Sequence, residues 1–227
     1  MIRSALIAAT LLSLILGCVS CALFDTEYPD REINPDVEVP QLINSWQKAR
    51  ESELNRGDRM LASNEIRRQL ERIAFEYPEH VPSLLACGII AFEMREFESS
   101  ARYLDRVFEL EPMHPGAAIL RSRIALAECN TPYARRLLEE QIQMAPDDGE
   151  LRAALAAVAR LENEYDEARA HLESARRLGA DEWRIAYNQG LVEEAAGNRD
   201  EAIRMFTMCL ELNPEFRPAQ SRLNGIE

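Results

Sequence analysis

The stretch that decides the fold is WRIAYNQGLVEEAAGNRDEAIRMFTMCLELNPEF, residues 183–216. Apolar side chains recur in it every three to four residues on both sides of a Gly-Asn pair, which predicts two amphipathic helices joined by a turn. Pro214 stops the second helix. Gly190 and Ala202 are small and Phe206 is large, so the two helix backbones can approach closely while the ring fills the space beside the contact.

The same pattern recurs every 34 residues along the chain. Prolines stand at this spacing, with one site taken by alanine: Pro78, Pro112, Pro146, Ala180 and Pro214. From Pro112 onward, the residue 12 positions before each of these sites is small: Ser100, Ala134, Ala168 and Ala202. The residue 24 positions before each site is also small: Gly88, Ser122, Ala156 and Gly190. The residue 8 positions before each of the five sites is large and apolar: Leu70, Leu104, Leu138, Leu172 and Phe206. Four columns at one spacing predict a solenoid of helical pairs.

This period divides most of the chain into two-helix units. We expect a degenerate first unit at 41–80, where the second helix fits the pattern but Gly57-Asp58 interrupts the first one early. Four regular units are predicted to follow at 81–114, 115–148, 149–182 and 183–216. The tail, 217–227, is predicted to form a short capping segment, since a solenoid has to close its last apolar face.

The clearest unit resembles the tetratricopeptide repeat (TPR) family. The residues that carry the resemblance have the family's spacing of aromatic, small and proline positions: Trp183, Gly190, Ala202, Phe206, Leu210 and Pro214. Three residues depart from the apolar preference of the family: Arg121, Gln141 and Gln189. The resemblance covers roughly residues 47–216 as about five repeats. It implies an all-α fold, a right-handed α-α superhelix that binds other proteins.

The beginning of the chain reads as an export signal. Arg3 precedes an apolar, uncharged run, which is typical of a signal peptide, here 1–17. Ile15-Leu16-Gly17-Cys18 resembles a bacterial lipobox, in which the cysteine thiol receives a diacylglycerol. We therefore expect lipidation at Cys18, with Cys21 as a second candidate. An uncleaved transmembrane helix is the alternative, because the uncharged run is long enough to span a bilayer.

Either anchor places the repeats outside the cytoplasm, because the only nearby positive charge precedes the apolar run. Val19 after Cys18 favours the outer membrane, by resemblance to sorting in enteric bacteria. Residues 18–40 are predicted to be an extended linker, since they are acidic and contain prolines. Apolar residues alternate with polar ones in it, which leaves open that the linker lies in the binding groove: Ile33, Val37 and Val39.

Composition argues against nucleic acid and against an enzyme. The net charge is −13, whereas a nucleic-acid partner requires a basic face. The sequence has no phosphate-binding glycine loop, nucleophile elbow or paired-histidine motif, so we expect no catalysis, cofactor or metal. His80 and His114 are the nearest candidates for a metal pair, and we interpret them as turn residues. Cys87 and Cys209 are expected in the core, and Cys129 at an exposed turn.

In the TPR family the first helix of each unit lines a concave groove. Carried over residue by residue, the resemblance implies these candidate contacts: Leu85, Ile89, Phe92, Ile119, Arg123, Leu126, Arg160, Tyr187, Asn188, Leu191 and Glu194. This mostly apolar set suits an amphipathic helix or an extended apolar peptide. Arg123 and Arg160 are placed to grip a carboxylate within such a peptide, and Asn188 its backbone. Packing between units is the alternative role of the aliphatic members.

These features predict a lipoprotein of the bacterial cell envelope, with its repeats in the periplasm and the outer membrane as the favoured site. The predicted partner is another protein, bound in the groove. The predicted role is a scaffold in envelope assembly: pilus or secretion machinery, barrel insertion or peptidoglycan work. A self-associating structural element is the alternative.

Overall fold

The structure, a computed structural model, describes residues 33–52 and 55–226, and every regular element in those ranges is a helix. The helices are α1 (Pro35–Glu51), α2 (Arg56–Glu76), α3 (Val81–Glu93), α4 (Phe97–Leu110), α5 (Pro115–Ala127), α6 (Thr131–Met144), α7 (Gly149–Leu161), α8 (Tyr165–Arg177), α9 (Glu182–Ala195), α10 (Arg199–Leu212) and α11 (Arg217–Ile226). Within this part of the chain, no helix is both long and apolar enough to cross a bilayer. The signal segment, Cys18 and most of the linker lie outside the described residues.

Packing follows chain order. Each helix contacts the next one, and the first helices of successive units also contact one another: α1 with α3, α3 with α5, α5 with α7, and α7 with α9. Three predicted units each contain one helical pair: 81–114, 115–148 and 149–182. The fourth pair, α9 and α10, lies within 183–216, except that α9 begins one residue earlier, at Glu182. Contacts of this near-neighbour kind are those of a solenoid.

The periodic small and large residues form the core of each pair. All eight small residues and all five large ones are buried. Gly88 faces Leu104, and a Cβ added to it would lie 3.1 Å from the leucine side chain. Gly190 faces Phe206, the bulkiest member of its column, and an added Cβ would lie 2.6 Å from the ring. An added Cβ would thus meet the large residue opposite in both pairs, and it would come closer to the bulkier one.

The first unit differs from the prediction. The linker was expected to be extended to residue 40, but α1 begins at Pro35, a residue whose fixed φ suits a first helical turn. Val39 and Trp46 are buried, so Val39 packs in the helical core and the idea that it lies in a groove as extended chain is wrong. The helix forms because Val39, Ile43 and Trp46 recur at helical spacing.

The break in the first unit also lies elsewhere. Asn55 caps α2 by accepting a hydrogen bond from the Asp58 backbone N–H at 3.0 Å, so Gly57-Asp58 belongs to the first turn of α2 and not to the break. The two helices of this unit have 17 and 21 residues, whereas those of the next four units have 13 or 14. The first helix and the start of α2 therefore depart from the 34-residue register, whereas the end of α2, where Leu70 is buried, keeps it.

The turn inside each of the four regular units contains one residue in the left-handed conformation. These residues are again 34 apart, with φ values of 64°, 58°, 65° and 82°: Arg95, Cys129, Asn163 and Gly197. The conformation costs an ordinary L-residue roughly 1–2 kcal/mol, while asparagine tolerates it better and glycine adopts it freely. Packing of the helical pair therefore imposes the left-handed conformation even on Arg95 and Cys129, for which it is unfavourable.

Arginines on the second helices join neighbouring units. Arg67 donates to Glu96 at 2.7 and 2.9 Å, across 29 residues. Arg135 bonds three carboxylates of the following unit: Glu162, Glu164 and Glu167. The hydrogen bond from Arg135 is the main reason that the pKa of Glu167 falls to about 2. These contacts join the second helix of one unit to the carboxylates at and beside the turn of the following unit.

One of these inter-unit pairs contains a buried carboxylate. The side chain of Glu193 is 5% exposed and accepts hydrogen bonds from Arg169 at 2.7 and 2.9 Å and from Asn198 at 2.7 Å. Alanine occupies the equivalent position in the three preceding units, at Ala91, Ala125 and Ala159. The bond from Arg169 is the main reason that the pKa of Glu193 is lowered.

We expect Gly190→Ala to lower the free energy of unfolding by about 1–3 kcal/mol, because the new methyl group overpacks the Phe206 ring. The helix propensity of alanine favours the substitution by at most about 1 kcal/mol, so the steric cost prevails. Adding Phe206→Leu recreates the alanine–leucine pair found at Ala156 and Leu172 and should cost less than the two single changes summed. Urea unfolding followed by circular dichroism measures this. Gly225→Ala, in a helix with open space around it, is the control without a steric cost and should stabilise the fold by at most about 1 kcal/mol. If the double variant costs as much as the two single changes summed, the pairing of residues 190 and 206 is contradicted.

We expect Arg169→Ala to destabilise the fold by about 3 kcal/mol, because it leaves a buried carboxylate without its cation. Glu193→Ala should cost less, since it matches the equivalent alanines, and it should rescue Arg169→Ala in the double variant. Arg204→Ala removes an exposed pair within one helix and serves as control, at about 0.5 kcal/mol or less. A double variant less stable than Arg169→Ala would contradict this account.

Acid should weaken the same contact. Because the pKa of Glu193 is lower in the folded than in the unfolded chain, the contact contributes fully above the unfolded pKa of glutamate, about 4.3, and is lost as the pH falls below it. The stability difference between the wild-type protein and Glu193→Ala should therefore shrink between pH 6 and pH 3, roughly the range of that titration. Urea midpoints at the two pH values measure it.

Candidate functional site

The candidate contacts lie in register on consecutive first helices. Since α3, α5, α7 and α9 contact one another in series, residues 34 apart on them form continuous rows. Ten of the eleven candidates are half-buried and Arg123 is exposed. We call this set the first-helix stripe: Leu85, Ile89, Phe92, Ile119, Arg123, Leu126, Arg160, Tyr187, Asn188, Leu191 and Glu194. Every member keeps surface that a partner can touch.

The core uses other positions of the same helices. On α3, Leu84, Cys87 and Ala91 are buried, while the stripe residues beside them are not. Ile119 and Leu126 pack partly against the core of their unit, and so do Tyr187 and Leu191. The aliphatic members therefore support the fold with one side and present the other to solvent.

At its N-terminal end the stripe is aromatic and aliphatic. Phe92 lies 5.6 Å from Phe97, centroid to centroid. The guanidinium carbon of Arg123, on the next first helix, lies 4.7 Å from the centroid of the Phe92 ring. A cation over a ring face at this distance is attracted by the ring quadrupole, so Arg123 is held across α3 and α5.

The middle of the stripe is lined by short side chains. On α7 the equivalent positions are Ala153, Ala154 and Ala157, of which the first is 6% exposed and the others are half-buried. Larger side chains stand on the neighbouring helices, with Ile119 on α5 and Leu191 on α9. Because the alanine side chain ends at Cβ, these residues form a depression between the larger side chains of the neighbouring helices.

At its C-terminal end the stripe meets α11. The Tyr187 ring lies 4.9 Å from Phe216 in an edge-on arrangement and 5.8 Å from Phe206. Arg222 of α11 lies 3.3 Å from the Glu194 carboxylate. Burial is the main cause, and the charge of Arg222 the second, of a lowered pKa of Arg160.

Arg222 was missed by the sequence analysis, which assigned 217–227 only a capping role. The register could have found it, because Arg222 stands 34 residues after Asn188. The helix follows the same register, since Ala219 is buried like the equivalent residues of the four units before it: Ser83, Ala117, Leu151 and Ile185. The closing helix thus occupies the register position of a first helix.

The histidines have local structural contacts. His80 caps α3 and His114 caps α5, each accepting a backbone hydrogen bond at Nδ1, at 3.2 and 3.1 Å. The described residues contain no group of three or more His, Cys, Asp or Glu side chains able to hold a metal. Cys87 and Cys209 are buried and Cys129 is exposed. Burial raises the pKa of the Cys87 thiol to about 12.

Comparison with known proteins identifies the fold. No protein-family model matches the sequence, and no curated protein is detectably similar to it. Among solved structures, the thermophilic TPR protein TTC0263 of Thermus thermophilus is 17% identical with a TM-score of 0.67, covering 82% of this chain and 98% of its own. A tetratricopeptide repeat protein of Parabacteroides merdae is 14% identical with a TM-score of 0.63, covering 83% and 78%.

MamA of Desulfovibrio magneticus is 18% identical with a TM-score of 0.55, covering 79% of this chain and 97% of its own. These likenesses extend over nearly all of the repeat region. The all-α repeat superhelix predicted from the 34-residue period is confirmed, and the chain has the tetratricopeptide-repeat fold.

Proposed function

We propose that this protein is a scaffold that binds another protein along its first-helix stripe, while a lipid on Cys18 tethers it to a bacterial membrane. The observation that carries the binding role is the accessibility of all eleven stripe residues, on helices where most of the other apolar side chains are buried. Repeated helices build one extended surface, and such surfaces are the binding faces of solenoids.

The chemistry of the stripe favours a peptide segment with apolar side chains. Leu85, Ile89 and Phe92 form an apolar end, and the alanines of α7 leave space for an apolar side chain. The Asn188 side chain makes no hydrogen bond to any other described residue, so its amide can pair with a peptide backbone. An amphipathic helix or an extended segment would satisfy these features.

The proposed anchor rests on the sequence before the described region. The order of Arg3, an apolar run and Gly17-Cys18 supports export followed by lipidation, and the acidic residues that follow provide a tether to α1. We place the repeats in the periplasm, with the outer membrane favoured, and the role in envelope assembly: pilus, secretion, barrel-insertion or peptidoglycan machinery. An uncleaved transmembrane helix is the alternative anchor.

The scaffold role predicts capture at the stripe. A photo-crosslinking residue at Arg123 or Asn188, in the full-length protein in its own cell, should trap a distinct protein, identified by mass spectrometry. The same residue at Arg102, exposed on the second helix α4, is the control and should not trap it. Equal capture from Arg102 would contradict the assignment of the stripe, and capture of the protein's own copy alone would favour the self-associating alternative.

The anchor predicts a specific dependence on one thiol. Cys18→Ala should abolish incorporation of labelled palmitate, because the thiol is the acceptor of the lipid. Cys21→Ala is the matched control and should keep the label. Loss of label in the second variant alone would move the lipid to Cys21, and absence of label from the wild-type protein would favour the uncleaved helix.

A further inference from the structure

Two arginines of the first-helix stripe have no carboxylate within 4.0 Å in the part of the chain that the structure describes. Most arginines of the described chain lie within 4.0 Å of a carboxylate, as Arg135 and Arg169 do. Among the described residues, neither Arg123 nor Arg160 has such a neighbour; Arg123 instead lies over the Phe92 ring. Other described arginines without such a neighbour, Arg95 and Arg136 among them, lie outside the first-helix stripe.

Arg160 belongs to a small cluster at the C-terminal end of the stripe. Glu194 on α9 stands 34 residues after Arg160 on α7, in the same row of the surface. Arg222 on α11 reaches Glu194 from the other side, at 3.3 and 3.4 Å. Burial and the charge of Arg222 both disfavour the charged form of Arg160, and Tyr187 and Glu194 favour it.

The charges of this cluster do not cancel. Arg160 and Arg222 contribute two positive charges and Glu194 one negative charge, which leaves one positive charge among the half-buried Arg160 and Glu194 and the exposed Arg222. A single negative charge would balance it. A carboxylate fits because its two oxygens match the forked donors of a guanidinium, whereas a nucleic-acid backbone would be repelled by the net charge of −13.

We propose that Arg160 and Arg222 form a carboxylate site for an aspartate or glutamate side chain of the bound peptide. The alanine-lined section of α7 lies next to it and takes an apolar side chain of the same peptide. The preferred ligand is therefore an internal segment in which an acidic residue neighbours a large apolar one. This inference rests on the proposed binding function and specifies the chemistry of the partner.

The test uses peptides selected by display on the wild-type protein, with amidated C-termini so that only side chains supply carboxylates. Selected peptides should share an acidic residue beside an apolar one. Changing that residue to asparagine or glutamine should weaken binding by about tenfold or more, as expected for loss of a partly desolvated charge pair. Fluorescence anisotropy measures the dissociation constants.

Protein variants locate the effect. With Arg160→Gln or Arg222→Gln, the acidic peptide and its amide version should bind about equally, while Arg204→Gln, on the second helix α10, leaves the difference intact. Glu194→Gln removes the competing carboxylate and should tighten the acidic peptide severalfold without helping the amide version. A damaged fold cannot produce that gain, so this variant remains decisive if an arginine variant folds poorly.

The outcomes separate the two proposals. Peptides that crosslink to the stripe but show no preference for an acidic residue would overturn the carboxylate site and leave the scaffold function standing. An acidic preference unchanged by Arg160→Gln and Arg222→Gln would also overturn the site. Peptides that bind only outside the stripe, or no selected peptide at all, would overturn both.

Discussion

Contact between the two helices of each unit is the constraint on which the rest of the structure depends. Two helix backbones can lie this close only where side chains are small, and each unit has one such residue on each helix. The pairs are Gly88 with Ser100, Ser122 with Ala134, Ala156 with Ala168, and Gly190 with Ala202. A large side chain from the partner helix fills the space beside each contact. Since the same solution is repeated at one spacing, every first helix takes the same position relative to its neighbours.

That repetition places the proposed binding surface. Side chains that are unrelated in sequence, such as Phe92, Arg123, Arg160 and Glu194, meet because their helices share a register. The inter-unit ion pairs of Arg135 and Arg169 hold adjacent units in that register, with their carboxylates supplied by the following unit. The stripe is therefore as ordered as the stacking beneath it, although few of its own side chains contact each other directly.

Much of the fold could be predicted because it is periodic. Four columns of residues specified the helical pairs from residue 81 onward, and the stripe followed from the family resemblance. The first helix could not be placed, since α1 and the start of α2 depart from the 34-residue register and Pro35 and Pro40 suggested an extended chain. Helical burial of Val39 and Trp46 outweighed that local preference.

Charged contacts were harder to foresee. A glutamate is normally a surface residue, so nothing local in the sequence marked Glu193 as buried, although its place in a column of alanines was a signal. Arg67, Arg135 and Arg169 are separated by multiples of the 34-residue period, and this spacing was a second signal, for the ion pairs between units. Arg222 was overlooked because the tail was treated as the end of the array and not as a helix in the register of a first helix.

The left-handed turns divide the array into two mechanically different halves. In the two N-terminal regular units the strained position is held by Arg95 and Cys129, whereas in the next two it is held by Asn163 and Gly197, which tolerate it. In a solenoid such local costs stay local, so the strained turns reduce the free energy needed to open each of the first two units by roughly 1–2 kcal/mol. The apolar end of the proposed binding surface lies on the units that carry this strain, and the charged end lies on units that do not. A partner bound there would be oriented by the unstrained charged end, while the apolar end adjusts to its shape.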